Sequence, residues 1–195
     1  LNIYNECVKA GSPDLPIIFT STSKITFPGA GVAVEAASPN NVALLKGRMK
    51  YQTIGPDKLN QLRHARMFRT VSDIERHMKR HAAILRPKFE TVEKELQKQL
   101  GDTGVARWTT PKGGYFISLY VLEGCAKRVE QLCANAGMIL TPAGATYPYG
   151  TDPKDSNIRI APSYPSVEEI EKASEVLALA VRYAALEKLL SDKEN

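Results

Sequence analysis

Apolar residues recur every three or four positions through the middle of the chain, which is the spacing of an amphipathic helix. The stripe comprises Val71, Ile74, Met78, Ala82, Leu85, Phe89, Val92 and Leu96. This spacing predicts one long helix over residues 71–100 with a single packing face. Pro87 lies inside the stripe, and we expect it to kink the helix because proline removes one backbone N–H and crowds the preceding turn.

Shorter patterns precede that helix. Helical spacing predicts a helix over residues 1–10, which the turn-forming residues 11–14 end. Two short apolar segments, residues 16–21 and 31–37, are predicted as strands, and a further helix is predicted over about residues 42–52. This order of elements suits the edge of a larger mixed sheet.

Beyond residue 100 short strands alternate with helices. A helix through Val129 is predicted to end at Gly137, and a capping box at residues 166–169 opens the final helix. The predicted strands cover residues 105–108, 115–119, 138–141 and 157–161. The predicted packing face of the final helix comprises Ile170, Leu177, Val181 and Leu186. The pattern predicts a small α+β domain in which helices cover a sheet.

The composition is that of a globular chain. Its 195 residues are 43% hydrophobic and 24% charged, which is enough for one good core or for one domain plus part of another. No apolar run is long enough to predict a membrane span or a secretory signal. Cys7, Cys125 and Cys133 lack CxxC spacing, so we predict buried thiols in a reducing compartment, by default the cytoplasm.

Positive charge is concentrated between residues 63 and 88 of a chain whose net charge is +5. Such a cluster indicates either a nucleic-acid surface or a solvated helix face. The basic residues are interleaved with the apolar stripe and with Asp73 and Glu75, which favours the helix face and no nucleic-acid partner. His77 and His81 stand one helical turn apart, but without a third ligand a surface pair is favoured over a metal site.

The clearest chemistry lies in residues 16–29, where a short strand runs into hydroxyl residues, a lysine and a Pro-Gly turn. Lys24 is predicted at the carboxyl end of a buried strand, where open α/β sheets place their ligand sites. Partial desolvation there favours the neutral amine, which can condense with an aldehyde. The hydroxyl groups of Ser21, Thr22 and Ser23 could hold a phosphate. The alternative is an ordinary lysine at a solvated strand end.

A second candidate is Arg159, which lies between two isoleucines in the predicted strand over residues 157–161. A half-buried arginine is costly unless it meets an anion, and its planar fork binds a carboxylate through two parallel hydrogen bonds. The alternative is an ion pair with a nearby Asp or Glu. Asn157 either assists the same site or ends the preceding loop, and Tyr147 and Tyr149 either line an entrance or pack.

Four segments resemble a known family: residues 21–32, 53–64, 111–116 and 157–163. The first reads Ser-Thr-Ser-Lys-Ile-Thr-Phe-Pro-Gly-Ala-Gly-Val and resembles the cofactor-lysine segment of fold-type I pyridoxal phosphate enzymes, the aspartate aminotransferase superfamily. Within that superfamily the chain is most similar to a bacterial subgroup of aspartate aminotransferases related to MocR-type proteins. The four matches occur in order and span most of the chain.

The resemblance implies the α/β fold of the fold-type I transferases. Residues 1–68 would be the end of the large cofactor-binding domain. Residues 69–195 would be the small α+β C-terminal domain, beginning with a long kinked linking helix. Homodimers are typical of the family, and residues 53–64 would lie near the contact between the two copies.

The resemblance also implies a cofactor and substrates. Pyridoxal 5'-phosphate would be bound by Lys24, the catalytic residue, together with Ser21 and Ser23. Arg159, assisted by Asn157, would hold the α-carboxylate of an amino acid whose amino group passes to a 2-oxo acid. Aspartate is the expected amino donor.

Two departures from the family are visible. Many relatives carry a phosphate-binding arginine seven or eight residues after the lysine, where this chain has Gly31 and Val32. The family's aspartate partner of the pyridine nitrogen, its tyrosine near the phenolic oxygen and its glycine-rich phosphate loop precede the lysine segment and are absent from this chain. The chain begins with Leu1 and not with Met, so we expect a processed, proteolysed or truncated piece. The resemblance implies that this piece is the C-terminal half of an aminotransferase, inactive by itself.

Two alternatives to the aminotransferase remain from the sequence. One is a non-catalytic, aminotransferase-like effector domain of a MocR-type transcriptional regulator. The other is a different fold-type I pyridoxal enzyme, such as a β-lyase or an acyltransferase.

Overall fold

The computed structural model describes residues 2–194 and divides the chain into two compact units, Leu1–His81 and Ala82–Asn195. The predicted division at residue 69 concerns the two domains of a whole aminotransferase and stays a prediction. No helix among the described residues is both long enough and apolar enough to cross a membrane.

The first unit holds three short helices and one pair of strands. The helices are α1 (Ile3–Lys9), α2 (Pro39–Met49) and α3 (Lys58–Met67), and the strands are β1 (Ile17–Ser21) and β2 (Ala33–Ala37). The strands pair antiparallel, with Phe19 opposite Glu35. The two predicted strands and the first helix are thereby confirmed.

The prediction that β1 is a buried strand is wrong for this unit. Four of its five residues are exposed, and the Phe19 side chain is 71% accessible to solvent. The reason is that β1 and β2 form a two-stranded sheet, and no third strand pairs with them among the described residues. A strand pair needs further strands or a packed layer to bury its apolar side chains.

Two helices of the first unit begin where a polar side chain caps them. The Ser38 side chain accepts a hydrogen bond from the Asn41 backbone N–H, so α2 begins at Pro39, three residues earlier than predicted. The Asp57 carboxylate accepts from the Asn60 N–H at 3.0 Å and caps α3, a helix that the apolar pattern did not predict.

Helix α4 (Val71–Leu100) has the predicted bounds and crosses the division between the units. Pro87 lies within it, and the helical assignment continues through that residue. The Thr91 hydroxyl donates to the Pro87 carbonyl at 2.8 Å, one turn further on. The kink expected at Pro87 stays a prediction.

The second unit is a three-stranded antiparallel sheet covered on one face by helices. Its strands are β3 (Ala106–Trp108), β4 (Ile117–Val121) and β5 (Asn157–Ile160), in the order β3-β4-β5, and its helices besides α4 are α5 (Ala126–Asn135) and α6 (Val167–Glu194). The core contains Val92, Leu96, Leu100, Ile117, Leu119, Val129, Ile158, Ile170, Leu177 and Val181. This arrangement confirms the predicted small α+β fold.

Two local predictions in this unit are wrong. Residues 138–141 form no strand, because no described strand pairs with them, and Ile139 is 92% exposed. Leu186 is 56% exposed, whereas Ala184 and Ala185 are buried, because the packing face of α6 continues through small side chains beyond Val181. The predicted capping box is confirmed: the Ser166 N–H donates to the Glu169 carboxylate at 2.7 Å, and the Glu169 N–H donates to the Ser166 hydroxyl at 3.2 Å.

The cysteines are unpaired thiols. Cys125 and Cys133 are buried as predicted, while Cys7 is half-buried. Burial raises the pKa of the Cys133 thiol to about 11, so this group is an inert part of the core at neutral pH.

Candidate active site

Lys24 lies on a tight turn that follows directly on β1. The Thr22 carbonyl accepts hydrogen bonds from the N–H groups of Ile25 and Thr26, both at 2.8 Å, and closes the turn around the lysine. The Thr22 N–H in turn donates to the Val32 carbonyl at 2.9 Å, where the chain returns to β2. Lys24 itself is exposed, so the predicted desolvation of its amine is not found in this unit.

The serines on either side of Thr22 bring their hydroxyl groups together at the start of the turn. The Oγ atoms of Ser21 and Ser23 are 2.7 Å apart, and the Ser23 N–H donates to the Ser21 hydroxyl at 3.1 Å. Both side chains are exposed. Two adjacent hydroxyl groups beside a lysine have the donor chemistry that a phosphate requires.

Gly31 closes the other side of this loop. A Cβ atom at residue 31 would lie 2.8 Å from both the Cα and the backbone nitrogen of Ser23, which is closer than such atoms approach. The loop therefore requires glycine here for its close approach. This packing gives a physical reason why position 31 cannot carry the arginine that many relatives place seven or eight residues after their lysine.

Helix α3 contacts the turn through two side chains on one face. The Asn60 amide donates to the Gly31 carbonyl at 3.1 Å, and the His64 ring nitrogen Nε2 lies 2.8 Å from the Thr26 hydroxyl and 3.2 Å from the Thr22 hydroxyl. The Oδ1 atom of Asn60 is buried without a hydrogen-bond partner among the described residues. The sequence analysis found neither side chain, because both act across long stretches of chain.

Arg159 lies on β5 in the second unit, directly opposite Ser118 of β4. Its neighbours Ile158 and Ile160 point into the core, so alternation along the strand places Arg159 on the other face of the sheet. The guanidinium carbon lies 4.5 Å from the centre of the Phe116 ring.

The Arg159 side chain is half-buried. None of the carboxylates that the structure describes forms a salt bridge with it, and its Nε atom is buried without a hydrogen-bond partner. The ion pair that the sequence left open is therefore not found among the described residues. An arginine in this state favours an anionic ligand, because a buried unpaired N–H costs free energy.

Asn157 is engaged in structural hydrogen bonds. Its amide nitrogen donates to the Ser118 hydroxyl at 2.8 Å and to the Leu119 carbonyl at 3.4 Å, and its Oδ1 atom accepts from the Thr146 hydroxyl at 2.6 Å. These contacts fix β5 against β4 and against the preceding loop. They favour the second of the two interpretations that the sequence allowed.

Asp152 organises the turn that leads into β5. Its carboxylate accepts from the N–H groups of Lys154, Ser156 and Asn157 at 2.8–2.9 Å. Burial by itself raises the pKa of Asp152, but these three backbone hydrogen bonds outweigh it and leave the pKa below its usual value. The sequence analysis missed this residue, although an Asp ahead of a Pro-Lys-Asp-Ser turn is a typical turn signal.

The remaining candidates from the sequence are two histidines and two tyrosines. The His77 and His81 rings lie with their centres 4.4 Å apart and their planes tilted by 49°. Within residues 2–194 no group of three or more His, Cys, Asp and Glu side chains is placed to hold a metal ion. Tyr149 is fully exposed, and Tyr147 is half-buried. Lys24 and Arg159 lie in different units, so their predicted roles in one cofactor and substrate site stay a prediction.

Comparisons with known proteins point to the same family as the segments that contain Lys24 and Arg159. The family model described as aspartate amino-transferase matches residues 1–193. An aspartate aminotransferase of Corynebacterium glutamicum is 48% identical over 178 residues, which cover 91% of this chain and 41% of that protein. The crystal structure of an aspartate transaminase from C. glutamicum superposes with a TM-score of 0.93 at 46% identity, covering 96% of this chain and 44% of the other.

A more distant relative belongs to a different functional class. A Bacillus subtilis protein named as an HTH-type transcriptional regulator, YdfD, is 27% identical over 166 residues, which cover 85% of this chain and 33% of that protein. The chain thus spans less than half the length of each of these relatives. Because the family model covers nearly the whole chain, the chain belongs to the aspartate amino-transferase family, whose fold is that of the fold-type I aminotransferases.

Proposed function

We propose that this chain is the C-terminal part of a pyridoxal-phosphate-dependent aminotransferase that moves the amino group of an amino acid to a 2-oxo acid. The donor becomes a 2-oxo acid, and the acceptor becomes an amino acid. The observation that supports this most is the ordered turn that presents Lys24 beside the paired hydroxyl groups of Ser21 and Ser23.

The residues of the turn fit a phosphate-bearing aldehyde. Lys24 supplies the amine, Ser21 and Ser23 supply hydroxyl donors, and the absence of a side chain at Gly31 lets the loop close behind Ser23. Pyridoxal 5'-phosphate, when bound, supplies the aldehyde and a ring that takes up the electron pair left at the substrate α-carbon. Lys24 holds the cofactor and, once released by the substrate, moves the proton at that carbon.

Arg159 is proposed to bind the α-carboxylate of the amino acid. Its unpaired Nε, its stacking on Phe116 and the absence of a described acidic partner leave the guanidinium fork available for a bidentate contact. Such a contact orients the substrate so that the bond to be broken is correctly aimed. Asn157 serves the same site by holding β5 against Ser118 and Leu119.

Aspartate is the proposed amino donor, and the subgroup related to MocR-type proteins is the proposed position within the family. The relative from C. glutamicum that is named an aspartate aminotransferase supports the proposed donor, and the proposed subgroup rests on the sequence resemblance. Assembly as a homodimer and a cytoplasmic location are proposed on the family resemblance. Light scattering of the full-length protein and cell fractionation test these two proposals.

Turnover by the full-length protein tests the proposed function. With aspartate and a 2-oxo acid acceptor, the protein and its Lys46→Ala variant should form oxaloacetate, because Lys46 is an exposed lysine of α2 away from the turn. The Lys24→Ala variant should form none above background. Equal turnover by the two alanine variants would refute the role of Lys24, and a product other than a 2-oxo acid would favour another fold-type I enzyme.

A ligand-sensing domain of a transcriptional regulator is the second candidate, favoured by the similarity to YdfD. If this candidate is right, the full-length protein should slow the migration of a DNA fragment in a gel in a salt-dependent manner. It should not form oxaloacetate from aspartate. The aminotransferase predicts the opposite pair of results, so the same preparation decides between them.

A further inference from the structure

We propose that Asn60 and His64 of α3 form a clamp on the turn that carries Lys24, and that His64 is a positioning residue for this lysine. The inference rests on the proposed function and adds to it the two side chains that hold the reactive amine in place. Neither side chain needs to touch the cofactor or the substrate.

Helix geometry places the two clamp residues side by side, because residues four apart lie on the same face. The Nδ1 atom of His64 lies 2.9 Å from the Asn60 carbonyl oxygen. A carbonyl only accepts, so Nδ1 carries the proton in this bond. In the neutral ring the other nitrogen, Nε2, is then an acceptor and points away from the helix.

The Nε2 atom of His64 contacts two threonines that lie two residues before and two residues after Lys24 in the sequence. It lies 3.2 Å from the Thr22 hydroxyl and 2.8 Å from the Thr26 hydroxyl. The Thr22 hydroxyl oxygen also accepts from the Val32 N–H at 2.9 Å, and this leaves its proton for His64. The Thr26 hydroxyl has a second acceptor, the Thr22 carbonyl at 3.1 Å. Nε2 has one lone pair, which the two threonine hydroxyls share, and it lies within hydrogen-bond distance of both ends of the five-residue turn.

Asn60 fixes the returning strand of the same loop. Its amide donates to the Gly31 carbonyl at 3.1 Å. The next residue, Val32, accepts the hydrogen bond from the Thr22 N–H. The Phe27 ring meets the His64 ring edge-on at 5.1 Å between centres and packs against Phe68 at 6.1 Å. These rings shield one side of the clamp from water, which strengthens its hydrogen bonds.

The consequence concerns Lys24, which is exposed and whose amine lies at the end of a long side chain. Proton transfer by a lysine amine needs the reacting atoms held close and aligned. A turn that is bonded at both ends limits the positions of the lysine Cα, and the side chain then has fewer orientations to sample. Loss of the contact to Thr22 and Thr26 should therefore lower turnover more than substrate affinity.

Two amide substitutions at residue 64 distinguish the bond made by Nδ1 from the contacts made by Nε2. His64→Gln reaches the Nε2 position and keeps an acceptor for the threonine hydroxyls, whereas His64→Asn reaches only the Nδ1 position and loses that contact. His81→Asn is the matched control, because His81 lies on α4 and does not contact the turn. Thr26→Val removes one of the two hydroxyl partners of Nε2 while keeping the shape of the side chain, and it also removes the bond from the Thr26 hydroxyl to the Thr22 carbonyl.

In the full-length holoenzyme, His64→Asn and Thr26→Val should each lower kcat about tenfold, the effect of one lost hydrogen bond, with KM for the amino acid changed less than about twofold. His64→Gln should stay within about threefold of the wild type, and His81→Asn should match it. Combining His64→Asn with Thr26→Val should lower kcat by less than the product of the two single effects, because both substitutions remove the contact between Nε2 and the Thr26 hydroxyl. Equal losses in the Asn and Gln variants, or unchanged kcat in His64→Asn, would overturn the proposal.

Hydrogen exchange of the cofactor-free protein separates this inference from the proposed function. The Ile25 and Thr26 amides, which close the turn, should exchange about tenfold faster in His64→Asn than in His64→Gln. Equal exchange would overturn the clamp. If the wild-type protein neither binds cofactor nor transaminates, the proposed function fails, whereas the exchange rates still decide whether α3 orders the turn.

Discussion

Gly31 approaches Ser23 so closely that a Cβ atom at residue 31 would lie 2.8 Å from the Ser23 backbone nitrogen. Ser23 is the residue before Lys24 and shares a hydrogen bond with Ser21. The shape of the proposed phosphate-binding loop thus depends on glycine, the smallest residue, at position 31, where the chain returns to β2. A side chain there would have to displace backbone, which costs more than rotating a flexible group.

Gly31→Ala should destabilise the protein by about 1–3 kcal/mol, the usual cost of overpacking, and should weaken cofactor binding. Gly47→Ala is the matched control: this glycine lies inside α2 with open space around it, so alanine should stabilise by up to about 1 kcal/mol. Urea denaturation measures both free energies of unfolding. Equal and small effects at the two glycines would show that the loop can move away from Ser23.

Arg159→Lys should raise KM for the amino acid about 10-fold or more, since lysine cannot make the two parallel bonds of a guanidinium to one carboxylate. Arg107→Lys serves as the control, because Arg107 is an exposed arginine of β3 that stacks on Tyr120 at 4.0 Å. Steady-state kinetics of the full-length enzyme measures both constants. A similar rise in KM for the two variants would indicate a general effect of charge instead of a specific contact.

Asn157→Ala should lower the free energy of unfolding by about 1–3 kcal/mol, because the hydroxyls of Thr146 and Ser118 and the Leu119 carbonyl each lose a partner in a half-buried region. The exposed Asn135→Ala at the end of α5 should cost far less. If Asn157→Ala instead raises KM and leaves the unfolding free energy unchanged, Asn157 binds substrate directly.

Asp152 should stabilise the fold in a pH-dependent manner. Its pKa is lower in the folded chain than in the unfolded one, so its contribution is complete above the unfolded pKa of about 3.9 and disappears as the pH falls through the lower, folded pKa. Asp152→Asn should therefore be less stable than the wild type at pH 7, and the difference should shrink below about pH 4. Urea denaturation at both pH values measures this difference. A difference that is constant with pH would mean that the pKa of Asp152 is the same in the folded and the unfolded chain.

The sequence predicted the elements whose signals are local. Helix α4 has a stripe of eight apolar positions, and α6 begins with a capping box, and both were predicted with accurate starts. Residues 138–141 look equally apolar, yet a strand exists only where another strand pairs with it. Helix α3 has few apolar residues and was missed, although Asp57 marked its beginning.

The candidate site was predictable to the same extent. Lys24, Ser21, Ser23 and Arg159 lie in motifs that can be read in a few adjacent residues. The clamp could not be predicted, because His64 is 42 residues from Thr22 and 38 from Thr26 in the sequence, and only the folded chain brings them together. The exposure of β1 was likewise unpredictable from an apolar run, since burial depends on what covers the strand.

The most direct test of the account is to locate the cofactor on the chain. The full-length protein is incubated with pyridoxal 5'-phosphate, reduced with borohydride, digested and mapped by mass spectrometry. The account predicts one reduced cofactor, attached to the peptide containing Lys24, and none in the Lys24→Ala variant. Attachment mainly at another lysine, or equal labelling of the variant, would contradict it.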